Sequence, residues 1–246
     1  MAPVTTARRI VDPAEARDAM PAAAAGEDGI GKSLGDRAYD QLLDRMLEGT
    51  FPPGTLLQER ALAEMLGISR TPVREALAKL ESEGFVTRDV GRLLVVREVP
   101  MQELMEILHV RTILETEAAG IAAGRIPAAE LAALRALFEA QLAGSLPDGA
   151  DVRAADDRLH GSIVDAAGNI VLAETVRSLR RRTRMFNLER LPDRFVPGCR
   201  EHLAIVAALE QGDGTAARLA VAAHLESTRR GILAKLELLS AGRPAG

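Results

Sequence analysis

The sequence comprises 246 residues, of which 47% are hydrophobic and 27% charged, with a formal net charge of −4. That length suits two ordinary domains, and a chain with no tryptophan, one tyrosine and five phenylalanines must build its core from aliphatic side chains at helical spacing, so the expected class is mostly α. A single cysteine, Cys199, excludes an intrachain disulfide, no apolar run reaches the roughly 18 residues needed to cross a bilayer, and the acidic balance gives no global nucleic-acid signature; a cytoplasmic protein with no membrane partner is expected, and any DNA contact must rest on a local face.

Residues 1–32, rich in Ala, Pro and Gly without apolar periodicity, read as a flexible N-terminal arm. From Ser33 the pattern turns helical: Leu34, Ala38, Leu42 and Met46 form one stripe, ended at Gly49 by a turn through Pro52, Pro53 and Gly54. A second short helix is expected from about Glu59 to Leu66, closed by Gly67, and a third from Arg70 to about Glu83, with Ser69 placed to cap it. The β-branched stretch FVTRDVGRLLVVREV, centred on Gly91, reads as two short strands around a turn. Three helices and a hairpin in this order describe a winged helix-turn-helix over 33–98. After Pro100 there is no strand-like stretch. Helical segments near 101–124, 128–143, 150–167, 170–190, 199–211 and 214–239 predict an all-α, six-helix antiparallel bundle over 101–240.

On the third helix Val73, Leu77 and Leu80 form the apolar stripe, while Arg70, Thr71 and Arg74 project together from the first turns on another face. Arginine at these positions has the planar fork that donates two hydrogen bonds to guanine O6 and N7, or grips a phosphate. Arg60, near the start of the second helix, would lie over the phosphate backbone, and Arg92 beside Gly91 would sit at the tip of the wing. Residues 33–98 hold nine Lys/Arg against eleven Asp/Glu, so DNA affinity must come from where the arginines sit.

These residues also carry a resemblance. LLQERALAEMLGISRTPVREALAKLESEGFV, preceded by LEGTFPPGTLL, is similar to the N-terminal domain of GntR-type bacterial transcription regulators, without a gap from about Leu34 to Val96. The resemblance implies a winged helix-turn-helix that binds a palindromic double-stranded operator as a homodimer. The implied DNA contacts fall at Arg60, Ser69, Arg70, Thr71, Arg74 and the wing around Gly91 and Arg92. The wing reads VGRLLVV, where many relatives have a second glycine after the arginine.

All four histidines fall in the helical part, and three of them form a suggestive set. Asp156 and His160 are four residues apart and so share a helix face, while His202 and His224 lie on two later helices. A carboxylate and three imidazoles suit a divalent Zn, Ni, Mn or Fe ion with open positions for a small ligand. The arrangement resembles the effector-binding domain of the FCD type in the FadR branch of the same regulators, through EILHVRTILETEAAGIAA, the D-x-x-L-H pair followed by AAGN, and both later histidines. Six helices would place it with the VanR-like subgroup. The resemblance implies a metal on Asp156, His160, His202 and His224. It also implies a small organic acid effector whose carboxylate meets the metal and Arg111, with Asn169 as a further candidate contact and His109 outside the ligand set. Glu115, one turn beyond Arg111, would orient it or pair with it. Of the run from Arg180 to Arg184, helical spacing lets one or two arginines reach a cavity.

The sequence thus reads as a metabolite-responsive DNA-binding regulator, a repressor, and not an enzyme. The alternative is a metal-dependent hydrolase or hydratase with an accessory DNA-binding domain. Against it stand the lack of an H-E-x-x-H arrangement, of a nucleophile elbow and of a nucleotide loop, with Glu201 on a different helical face from His202.

Overall fold

The computed structural model describes residues 32–89, 91–144, 149–185 and 194–241; the expected arm at 1–31 and the predicted helical stretch at 186–190 lie outside the described residues. The chain divides into two compact units between Val99 and Pro100.

In the first unit, α1 (Leu34–Leu47) starts where the Ser33 hydroxyl accepts a hydrogen bond from the Asp36 amide at 3.0 Å. It buries Ala38, Tyr39, Leu42, Leu43, Met46 and Leu47. Leu34, expected on that stripe, is 56% exposed, because it occupies the first helical position, ahead of the turns that pack. Next, α2 (Glu59–Leu66) stops at Gly67, whose φ of +66° is the left-handed conformation that a residue without Cβ adopts freely. Helix α3 (Arg70–Ser82) buries Pro72, Val73, Ala76, Leu77 and Leu80, at the three- and four-residue spacing of one face. Ser69 holds the N-cap position with extended backbone, yet its side chain makes no capping hydrogen bond, contrary to expectation.

Strands β1 (Leu56–Leu57), β2 (Val86–Arg88) and β3 (Leu94–Val96) form an antiparallel sheet in the order β1-β3-β2, with Leu56 opposite Val95 and Val86 opposite Val96. The hairpin was legible; β1 was not, because two residues behind a proline-rich turn show no alternation and become a strand only by pairing with β3. At the wing the Arg92 amide donates to the Asp89 carbonyl at 2.7 Å, and Arg92 rather than Gly91 takes the left-handed backbone, with φ +58°. The arginine therefore occupies a conformation in which a β-carbon crowds the following carbonyl.

The second unit contains α4 (Met101–Ala122), α5 (Ala128–Ala143), α6 (Gly149–Ala166), α7 (Ile170–Arg184), α8 (Phe195–Glu210) and α9 (Gly214–Ala241). Ala118, Ala119, Leu134, Phe138, Leu159, Ile163, Val176, Ile205, Leu209 and Val221 share one apolar core. Small residues let α4 and α9 approach closely: a Cβ on Gly214 would lie 2.7 Å from the Gly120 carbonyl oxygen. The helix expected from about 199 begins earlier, and Pro197 lies in the first turn of α8. An N–H there has no intrahelical acceptor, so a ring that removes it costs nothing. No described helix is long and apolar enough to cross a membrane.

Candidate metal centre and DNA-reading face

The helical unit brings one carboxylate and three imidazoles together from three helices. Asp156 and His160 come from α6, His202 from α8 and His224 from α9, and one ligand atom from each lies within 4.8 Å of all the others. The imidazole ring centres stand 4.6 Å apart for His202 and His224, and 5.4 Å for His160 and His224. Burial is nearly complete for the histidines (His160 1%, His202 7%, His224 6%), whereas the Asp156 side chain keeps 33% of its exposure.

Two further carboxylates fix how the rings face. Glu115 Oε2 lies 2.6 Å from His160 Nδ1, and Glu201 Oε2 lies 2.9 Å from His224 Nδ1. A carboxylate on Nδ1 makes that nitrogen the protonated one and leaves Nε2 with its lone pair, the arrangement of a histidine prepared to ligate. His160 Nε2 and His202 Nε2 are buried and have no hydrogen-bond partner, and they stand 3.8 Å and 3.2 Å from Asp156 Oδ1. Two buried imidazole nitrogens directed at one carboxylate oxygen fit a divalent cation between them. Asp156 Oδ2 turns away and accepts a hydrogen bond from Arg180.

The electrostatics agree with that fit. Burial lowers the His160 pKa, and burial also takes His224 down to about 4, against the opposing pull of Glu201, so these two rings are neutral near pH 7, as ligands must be. For Asp156 burial favours the neutral acid, but Arg180, His202 and His160 together outweigh it and hold the carboxyl well below the usual carboxylate range. Burial likewise opposes ionisation of Glu201, which its contacts with His224 and Arg194 bring down to about 2.

The remaining expectations divide. Arg111 is buried, and its Nε donates to Glu115 Oε1 at 2.7 Å, so Glu115 pairs with Arg111 and faces His160 at once. His109 is exposed on α4 and is not among the clustered residues. Asn169 is exposed, and its Oδ1 accepts from the Leu172 amide at 3.1 Å as the N-cap of α7. Of the arginine run, Arg180 reaches the centre, while Arg182 pairs with Glu103 and Arg184 with Asp157 at 2.8 Å. The sequence reading missed Glu201 and Arg194 as parts of the centre. Spacing on one helix places Glu201 off the His202 face, but its imidazole partner, His224, belongs to another helix.

In the first unit Arg70, Thr71 and Arg74 are exposed on the leading turns of α3. Both arginines converge on Glu59 at the start of α2: Arg74 through Nε at 3.1 Å and Nη2 at 2.9 Å, Arg70 through Nη2 at 3.0 Å. Hydrogen bonds from Arg74 hold Glu59 down to about 2, against its partial burial. Arg60 pairs with Glu64 at 2.9 Å, and Ser69, Gly91 and Arg92 are exposed.

Comparison with known proteins places both units. Residues 34–96 match the family described as bacterial regulatory proteins, gntR family, and residues 106–227 match the FCD domain. Over 223 residues the chain is 32% identical to a putative L-lactate dehydrogenase operon regulatory protein of Escherichia coli K12, covering 79% of this chain and 84% of that protein. It is 35% identical to an Nta operon transcriptional regulator of Aminobacter aminovorans over 135 residues, 54% of this chain and 64% of that one. The solved structure of E. coli McbR/YncC superposes with a TM-score of 0.71 at 26% identity, covering 84% of this chain and 99% of that one. A winged helix-turn-helix followed by a helical domain of this type defines a DNA-binding transcription regulator, not an enzyme, which sets the hydrolase alternative aside. The chain belongs to the GntR family of bacterial regulators and carries an FCD domain as its second unit.

Proposed function

We propose that this regulator is a metabolite-responsive repressor that binds a palindromic operator as a homodimer and holds a divalent metal, Zn, Ni, Mn or Fe, on Asp156, His160, His202 and His224. The observation that carries the reading is the convergence of these four ligand atoms within 4.8 Å, with two buried imidazole nitrogens left without partners. When bound, the metal supplies a Lewis-acid position for an anionic oxygen. Buried Arg111 is the cation proposed to share that anion's carboxylate, a small organic acid being the effector. Some relatives support repression in particular: the chain is 28% identical over 199 residues to a probable D-xylose utilization operon transcriptional repressor of Paenarthrobacter nicotinovorans. On DNA, Arg70 and Arg74 are assigned to base edges and Arg60 to phosphate, with Ser69, Thr71 and the wing at Gly91 and Arg92 in support.

Elemental analysis of His160→Ala, His202→Ala and His224→Ala is expected to show lowered metal content in each folded variant, with His109→Ala unchanged. Full metal occupancy in the triple variant would remove the ligand set. Operator binding is then measured on DNA flanking the protein's own gene, with metal-loaded and stripped protein, across a panel of carboxylic acids. Release of DNA by an acid without its turnover supports repression relieved by an effector, and tightening on DNA would overturn that relief.

A further inference from the structure

The groups around the histidine cluster are charge-balanced before any cation enters. Glu115 contacts Arg111 at 2.7 Å and Arg180 at 3.6 Å, and Arg180 also holds Asp156. Asp157 is shared by Arg180 at 3.1 Å and Arg184 at 2.8 Å, and Glu201 pairs with Arg194 at 2.9 Å. Four carboxylates thus face four guanidiniums, and imidazoles that ligate a metal are neutral. A divalent ion seated among them would add two positive charges that no described side chain offsets. The one anionic ligand, Asp156, is already matched by Arg180.

The surroundings make such an imbalance costly. Arg111, Glu115, His160, Arg180, His202 and His224 are all buried, and an uncompensated charge in so dry a place is strongly disfavoured. A closed site would answer with further anionic protein ligands, and among the described residues none is left over to give. Of the four candidate ligands the one with substantial exposure is Asp156, at 33%, so an anion from outside would meet the site on that side.

We infer that the effector of this site is a dianion, of the dicarboxylate class, and that effector and divalent metal bind as one mutually dependent, charge-neutral set. This rests on the metal reading given under Proposed function and narrows its ligand from an organic acid to one carrying two negative charges. Reciprocity follows from linkage: whatever factor the metal adds to the affinity for the dianion, the dianion adds to the affinity for the metal.

The test uses the full chain, stripped by chelator. Mn or Zn affinity is measured by competition with a chromogenic chelator at fixed ionic strength, corrected for complexation in solution. The arms contain chloride alone, acetate, propionate, malonate, succinate or glutarate. At least one dicarboxylate is expected to tighten the metal by roughly 5- to 150-fold, and the monocarboxylates by much less. A monocarboxylate effect equal to that of every dicarboxylate, or no dicarboxylate effect, overturns the inference. Arg111→Gln and Arg180→Gln supply a readout of opposite sign to a structural role. Each removes one positive charge, so each is expected to bind metal more tightly than the wild type in chloride alone and to lose part of the dicarboxylate advantage. Arg111→Lys, which keeps the charge, should stay near wild type. Circular dichroism checks the fold of each variant, and a misfolded Arg180→Gln leaves Arg111→Gln to decide. Weaker or unchanged metal binding in the folded Gln variants overturns the charge argument. Wild-type protein that takes up no metal under any condition sinks the metal reading and this inference together, whereas uptake indifferent to anion charge sinks the inference alone.

Discussion

Single side chains carry the sharpest expectations. Arg70 and Arg74 share Glu59, which fixes their rotamers on the leading turns of α3 and places a negative charge where phosphates would come. Both arginines are more than 60% exposed, so the pairs themselves contribute at most about 1 kcal/mol to stability. The weight proposed for them therefore lies in DNA reading. Arg74→Ala is expected to cost roughly 1–3 kcal/mol on operator DNA and little on random DNA, as read from binding isotherms on the two. Equal losses on both would assign Arg74 to phosphate instead. Glu59→Ala should act the other way, raising affinity for random DNA while reducing the operator-to-random ratio; an unchanged ratio would show that pre-setting the two arginines adds nothing. At the proposed metal centre, Glu201→Gln keeps the shape of the side chain but removes the carboxylate on His224 Nδ1. Metal affinity is expected to fall by about 10- to 100-fold in chelator competition, and an unaltered affinity would make that contact incidental.

Helices rather than residues decide how closely the ligands come together. Helix α9 is started by Asp213, whose Oδ1 accepts from the amides of Thr215 and Ala216 at 2.9 Å, and its first residue, Gly214, touches the α4 backbone at Gly120. Gly214→Ala forces a methyl against a carbonyl oxygen, so one helix must shift. A loss of about 1–3 kcal/mol is expected in denaturant unfolding of the helical unit, with lowered metal affinity as His224 moves with α9. Unchanged stability would mean that the two helices separate freely. The bounds of α2 and α5 were legible because Gly67 and Pro127 punctuate the sequence at those points. What escaped were features without a local signal: β1 exists through its pairing with β3, and Pro197 stays within α8 because the first turn of a helix does not need its N–H.

At the scale of the whole molecule, charge and pH act together. His224 ionises near 6.5 in an unfolded chain and near 4 when folded, so between those values the unfolded state binds more protons and stability rises with pH. Above pH 6.5 the penalty is absent; as pH falls toward 4 the metal-free protein loses roughly 3 kcal/mol from this group. Glu201, depressed to about 2, loses its contribution at still lower pH, in the same direction. The thermal midpoint of stripped protein should therefore drop between pH 7 and 4.5, and His224→Gln should flatten that drop; an equal drop in the variant would assign it to other groups. Across the two units, operator DNA is expected to change effector affinity by the factor with which effector changes operator affinity, and stripping the metal should abolish that coupling while basal DNA binding persists, since Arg60, Arg70 and Arg74 belong to the other unit. A full effector response in verified metal-free protein would make the metal structural. By itself the sequence determined the two-part plan, the helix faces and the pairing of Asp156 with His160 on one face, because helical periodicity, glycine and proline punctuation and i, i+4 spacing are local properties; His202 and His224 joined that pair only through the family resemblance. Only the tertiary structure decided that Glu201 orients His224, that Arg180 rather than its neighbours holds Asp156, that Asn169 is spent on a helix cap, and that the centre is neutral. Each of these depends on which side chains of different helices meet across the bundle, and periodicity along one helix carries no information about its partner's register.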